Sequence, residues 1–153
     1  MNSAPKIIII DKDLDTQNTF FSLLKKEGFE VLTSSIEKEA ISLAASQKPD
    51  LVILDRVLSE IDGLEIIRNL RSNPATAHIL IMVYSALASP ADQLKAFEAG
   101  ADDYLRKPAA SPELVARIKA LVQHAAFRQQ TLIRRNSKQE SKSRQGKLIG
   151  VIG

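Results

Sequence analysis

Short apolar runs recur along the chain: KIIII (6–10), FEVLTSS (29–35), DLVILD (50–55), HILIMVYS (78–85) and DDYLRK (102–107). Each has the length of a buried strand, and the central ones are apolar at nearly every position instead of at every second one. Between them lie segments of helical period. Phe20, Phe21, Leu23 and Leu24 form one stripe within 14–28, Ile36, Ala40, Leu43 and Ala44 another within 36–49, and 62–74 and 89–100 are spaced alike. Helix punctuation agrees with the period. Asp62 and Glu65 have the spacing of a capping box, Ser89-Pro90 and Ser111-Pro112 place a cap before a proline at the first helical position, and Gly28 and Gly100 stand where helices should stop. Strand and helix alternate five times, which predicts a doubly wound α/β domain whose parallel sheet is covered by helices on both faces. Ligands of such sheets bind outside the carboxyl ends of the strands, so the residue that ends each strand is the first place to look for chemistry.

Composition narrows the class. With 153 residues, 44% hydrophobic and 25% charged, the chain has room for one core. No apolar run approaches the roughly 20 residues that a bilayer requires, and MNSAPKIIII lacks the flanks of a signal peptide, so a cytoplasmic protein is expected. The absence of cysteine removes disulfides, thiolate nucleophiles and cysteine zinc sites together. His78 and His124 have no partner at metal-ligand spacing and read as loop and helix-surface residues. The net charge of +3 is unevenly placed: residues 125–153 hold seven Lys/Arg against the single acid Glu140, whereas residues 1–124 are mildly acidic.

The strand ends carry Asp11, Asp55, Ser85 and Lys107. Two carboxylates in one crevice repel, and a proton, a cation or a metal must relieve them; Lys107 supplies one cation. A carboxylate beside a hydroxyl and an ammonium can act as a nucleophile toward phosphorus, with the other two groups binding the oxygens of the transferred phosphoryl group. Taken singly, each has a plainer reading: a strand-end Asp as a turn residue, Ser as a loop hydroxyl, Lys before Pro as a solvated side chain. The four together, in order, favour the chemistry.

With IIIIDKD, DLVILDRVLSEIDG, VYSALA and AGADDYLRKP in order, residues 5 to about 124 resemble a response-regulator receiver domain of two-component signalling. The resemblance implies a flavodoxin-like (βα)5 fold with strand order 2-1-3-4-5. It implies Asp55 as phosphoacceptor, Ser85 as the hydroxyl that closes on the acyl phosphate, Lys107 as its ammonium partner and a cis Lys107-Pro108 bond. It further implies a signalling domain and not an enzyme, and a sensor histidine kinase or phosphotransfer protein as the phosphoryl donor. Homodimerisation would use the fourth helix, fifth strand and fifth helix. Tyr104 matches the aromatic whose rotamer reports the switch, although a core aromatic is an equal reading. Asp102 and Asp103 are expected as loop and helix-end charges at the opposite end of the sheet, preceding the fifth strand.

Two departures bear on this. Where the family usually has a second acid that ligates Mg²⁺, this chain has Lys12, so a site made of Asp11, Asp55 and the Val57 carbonyl should bind Mg²⁺ weakly. Lys12 either extends into water or pairs with Asp55 in the place of the metal; the pairing, which would give a pseudo-receiver that signals without phosphorylation, is the expectation. Ser59 stands where proline is common, a change expected to affect only loop stiffness.

Residues 125–147 read as a helical extension and a basic polar linker, for which solvation explains the charge better than nucleic-acid binding does. The closing KLIGVIG resembles the first strand of ParA/MinD-type ATPases, so residues 148–153 are expected to begin a further ATPase domain. From another class, IIIIDKDLDT resembles the Asp-x-Asp opening of haloacid-dehalogenase-type phosphatases, with Asp11 as nucleophile and Asp13 as general acid, but that reading leaves Asp55 without a role.

Overall fold

The computed structural model of the chain describes residues 4–35 and 37–126. The apolar runs form β1 (Lys6–Ile10), β2 (Glu30–Ser34), β3 (Leu51–Leu54), β4 (Leu80–Ser85) and β5 (Asp103–Arg106). Between them come α1 (Leu14–Lys26), α2 (Ala40–Gln47), α3 (Gly63–Ser72) and α4 (Pro90–Ala99), and residues 111–126 form α5. The strands pair in parallel in the order β2-β1-β3-β4-β5, the order that the resemblance implied.

The apolar density of the strands follows from burial on both faces. Ile7 and Ile9 pack with Phe20 and Leu24 of α1 and Leu114 and Ile118 of α5, whereas Ile8 and Ile10 pack with Ala40 and Ala44 of α2 and Leu64, Ile67 and Leu70 of α3. A strand sandwiched in this way has no solvent-facing side to hold polar residues. The chain leaves β1 for the edge strand β2, then returns across the sheet to β3, so the loops beyond β1 and β3 diverge and leave a crevice at their carboxyl ends. Ile10 pairs with Leu54, which makes Asp11 and Asp55 neighbours one residue beyond the ladder.

The helix ends agree with the sequence in part. Ser89 and Asp92 form a reciprocal capping box on α4, with Pro90 as its first residue. At α3 the Asp62 carboxylate accepts from the Leu64 amide at 2.9 Å, and so caps through an Asx turn and not through the expected box with Glu65. Ser111 is not the cap of α5. Leu114 N–H donates to Ala110 O at 3.0 Å, so Ala110 stands at the cap; proline is tolerated throughout a first turn whose N–H groups have no helical acceptor, and Pro112 therefore does not fix the starting residue. The stretch predicted helical from 36 instead makes a 3-10 turn at Glu37–Glu39 before α2, because the Glu37 carboxylate turns inward to the loop after β3. Asp103 opens β5 instead of preceding it. Ile36, the extension beyond residue 126 and the segment 148–153 lie outside the described residues.

Candidate functional site

Lys107 Nζ lies between the two strand-end carboxylates, donating to Asp11 Oδ2 at 2.8 Å and to Asp55 Oδ2 at 2.7 Å. Asp11 is 2% exposed and Asp55 7%. Their outer oxygens are also satisfied: Asp13 N–H donates to Asp11 Oδ1 at 2.9 Å and Val57 N–H to Asp55 Oδ1 at 3.0 Å. Burial raises the pKa of the Asp11 carboxyl, and the hydrogen bonds from Lys107 and the Asp13 amide offset only part of that rise. Burial acts on the Lys107 ammonium in the opposite sense, pulling its pKa down, yet the two carboxylates outweigh it and leave the pKa above the ordinary lysine value. Lys107 therefore stays charged and carries the compensation for both acids.

The backbone sets this geometry. Lys107 N–H donates to Ser85 O at 2.9 Å, extending the β4–β5 ladder by one residue, and the Lys107-Pro108 bond is cis, as the resemblance implied. The ammonium lies 5.6 Å from the centre of the Tyr84 ring. At Gly63 an added Cβ would lie 2.6 Å from Asp55 O and 2.7 Å from Arg56 Cα, so only glycine lets α3 begin this close to Asp55. Ser85 is fully buried, and its hydroxyl accepts from the Leu87 amide at 3.2 Å. Tyr104 is turned inward, 6% exposed, and its hydroxyl donates to the Leu87 carbonyl. Asp11, Asp55, Ser85 and Lys107 thus share one rim of the sheet, with Tyr104 beneath the loop that follows Ser85.

The response regulator receiver domain model matches residues 7–119. This chain belongs to that family. It is 38% identical over 117 residues to the response regulator MprA of Mycolicibacterium vanbaalenii, a match covering 76% of this chain and 50% of that protein. It is 37% identical over 120 residues to the transcriptional regulatory protein PrrA of Mycobacterium tuberculosis, covering 78% of this chain and 51% of that one. The crystal structure of a two-component response regulator from Clostridium difficile superposes with a TM-score of 0.73 at 31% identity, over 78% of this chain and 96% of that one. The chain spans about half the length of the curated relatives it matches. Among the described residues no helix is long and apolar enough to cross a membrane.

Within this receiver domain the expected pairing of Lys12 with Asp55 does not occur. Lys12 is exposed and makes no ion pair among the described residues. Lys107 already places one positive charge between the two acids, so a second ammonium would lose hydration there for a smaller electrostatic gain. For Mg²⁺, Asp11, Asp55 and the Val57 carbonyl are hard oxygen donors of the right kind. They fit as a minimal set, since all four carboxylate oxygens already accept from N–H donors of the chain and position 12, where a third carboxylate would stand, holds a lysine. Among the described residues no cluster of three acidic or histidine side chains could hold a metal ion.

Asp13, the general acid of the phosphatase reading, is instead the cap of α1. It accepts from the Asp15 amide at 3.1 Å and the Thr16 hydroxyl at 2.8 Å, and chiefly that hydroxyl holds its pKa below the ordinary value, the wrong direction for an acid catalyst. Asp102 is at the opposite end of the sheet, as expected, bonded to Arg71 at 2.7 Å and to the Ile81 amide at 2.9 Å.

Two residues near the site were missed. Glu37 is buried, and its carboxylate accepts from the Ser59 amide. Burial raises its pKa, but the amides of Glu37, Ser59 and Glu60 outweigh this and hold it below the usual glutamate range. Ser59 therefore does more than alter loop stiffness: it supplies an N–H that a proline would lack. Arg56, directly after Asp55, is 8% exposed and reaches Asp92 of α4. A charge that directly follows an apolar run was the one available signal for it.

Proposed function

We propose that this receiver domain accepts a phosphoryl group on Asp55 from a histidine kinase or phosphotransfer protein. A carboxylate oxygen of Asp55 attacks phosphorus while the bond from phosphorus to the donor imidazole breaks, its electron pair leaving with the imidazole nitrogen. The observation that carries the reading is the single ammonium of Lys107 held within 2.8 Å of both buried carboxylates. That cation is already in place to meet the charge of an incoming phosphoryl group and costs no reorganisation to deliver. The Ser85 hydroxyl accepts from the Leu87 amide and also meets the Tyr104 hydroxyl; in this reading it turns to donate to a phosphoryl oxygen, and Tyr104 follows the loop through Leu87. The step is stoichiometric transfer and not turnover of a substrate, so the domain is a signalling element and not an enzyme.

Asp11, Asp55 and the Val57 carbonyl would hold Mg²⁺. When bound, it supplies positive charge that offsets the oxygens of the phosphoryl group, and Lys12 makes that binding weak. The signal would leave through α4, β5 and α5, where Leu94 and Phe97 are exposed on α4 and Arg117 pairs with Asp103 at 3.0 Å; a second copy of the chain is the proposed partner there. Residues 1–124 form the receiver unit in this reading, with 125–147 as a helical extension and basic polar linker. One alternative is a pseudo-receiver that signals without phosphorylation: a lysine at position 12, where an acid would strengthen the metal site, supports it, and the missing Lys12–Asp55 pair counts against it. Acetyl phosphate with excess Mg²⁺ separates the two. Acceptance on Asp55 predicts a hydroxylamine-labile phosphoryl group that Asp55→Asn abolishes, and no labelling at any Mg²⁺ concentration would establish the pseudo-receiver.

A further inference from the structure

Arg56 is a cation beside the acceptor that the phosphotransfer geometry does not use. Its Nη1 donates to Asp92 Oδ1 at 3.0 Å and to the Asp92 carbonyl at 3.3 Å, 36 residues away. Its Nε is buried with no hydrogen-bond partner among the described residues and lies 3.8 Å from Asp62 Oδ1. Asp92 is also the residue that closes the capping box of α4 with Ser89. The segment leading into α4 is pinned twice more, by the Tyr104 hydroxyl on the Leu87 carbonyl and by the Leu87 amide on Ser85 Oγ. The backbone of Arg56 is held in place. Its carbonyl accepts from the Gly63 amide at 2.9 Å, and Gly63 sits against it more closely than any Cβ would permit. A buried guanidinium on a backbone held in this way has little room to follow a displacement of α4. It must resist the movement or let go.

We propose that Arg56 is a positioning residue whose ion pair with Asp92 latches residues 86–92 in the arrangement seen here, and so sets how readily Ser85 and its loop close on a phosphoryl group. The proposal rests on the reading of Asp55 as acceptor. Breaking the latch at Asp92 leaves the contacts of the acceptor, Ser85 and Lys107 intact and lowers the cost of moving the loop, whereas a change at Arg56 also removes its contact with the Tyr104 hydroxyl. Asp92→Asn suits the purpose, because an amide oxygen still accepts from Ser89 while the charge facing Arg56 is removed.

The test uses the full chain as wild type, Asp92→Asn, Arg56→Leu, Arg56→Lys and the double Arg56→Leu/Asp92→Asn. Conformational exchange is followed at the Leu87, Ala88 and Ser89 amides by relaxation dispersion without phosphoryl donor, and initial labelling rates are followed with acetyl phosphate. Each single charge-removing change should raise the exchange amplitude and speed labelling roughly two- to fivefold, the scale of a partly exposed ion pair. Arg56→Lys should stay near wild type, and the double variant should go no further than either single change. Should Arg56→Leu fail to fold, Asp92→Asn on the first turn of α4 still carries the test. Unchanged exchange, slower labelling or additive effects would overturn the latch. Raised exchange with no labelling in any variant would sustain the latch and remove the acceptor reading of Asp55.

Discussion

Replacing Lys107 with Met removes the one ammonium that, among the described residues, bonds the two buried acids, while keeping most of the side chain's length. Both inner oxygens bond the same nitrogen, at 2.8 and 2.7 Å. They are therefore within about 5.5 Å of each other, and at an effective dielectric near 20 two unit charges at that distance repel by about 3 kcal/mol. In Lys107→Met nothing offsets that repulsion, and stability near neutral pH should fall by about 3 kcal/mol, the lower end of what breaking a buried pair costs. The loss depends on pH with a definite sign. Repulsion raises a folded-state carboxyl pKa above the unfolded value near 3.9, so the native state binds more protons than the unfolded state between those two values, and the deficit shrinks as pH falls through that window. Urea unfolding of wild type and Lys107→Met from about pH 8 down to about pH 4 reads this directly. Adding Asp55→Asn to Lys107→Met removes one of the two charges and should recover most of the loss. A deficit that is constant across the pH range, or that Asp55→Asn leaves untouched, would mean that Lys107 stabilises by packing its stem and would refute the charge argument.

Three further outcomes follow from the same geometry. Gly63→Ala forces a methyl group to within 2.6 Å of the Asp55 carbonyl and should cost about 1–3 kcal/mol in urea unfolding, with the Asp55 and Arg56 amide signals displaced most. Ser59→Pro deletes the amide that bonds the buried Glu37 carboxylate and should destabilise by about 1–3 kcal/mol, and pairing it with Glu37→Gln should make the two changes non-additive. Lys12→Asp should tighten Mg²⁺ binding at least about tenfold by calorimetry, since it exchanges an exposed cation for an oxygen ligand beside Asp11; unchanged affinity would mean that position 12 does not face the metal.

The strands were legible because Ile7 to Ile10, Leu51 to Leu54 and Leu80 to Val83 are buried on both faces, and an unbroken apolar run records that directly; their order came from the family resemblance and not from the runs. The acceptor rim was legible for the same reason: a charged residue that ends such a run has nowhere to go but the strand end. Contacts between distant parts of the chain were not. Lys12 is expected beside Asp55 because it stands where a metal-ligating acid is usual, yet the cation that bonds Asp55 is Lys107, 52 residues along the chain. Glu37 reaches Ser59 across 22 residues and Arg56 reaches Asp92 across 36, and no local period records either pairing. The starts of α2 and α5 were misplaced because an inward Glu37 and a permissive first turn shift a helix boundary without changing its apolar stripe.

Whether Asp55 itself takes the phosphoryl group is decided most directly by finding the modified residue. The full chain is incubated with acetyl phosphate and excess Mg²⁺, reduced with borohydride, which converts an aspartyl phosphate to homoserine, and sequenced by peptide mass spectrometry. Homoserine at position 55 alone, absent when Asp55→Asn is treated identically, is the predicted result. Homoserine at position 11 or 13, or at no position, would contradict it.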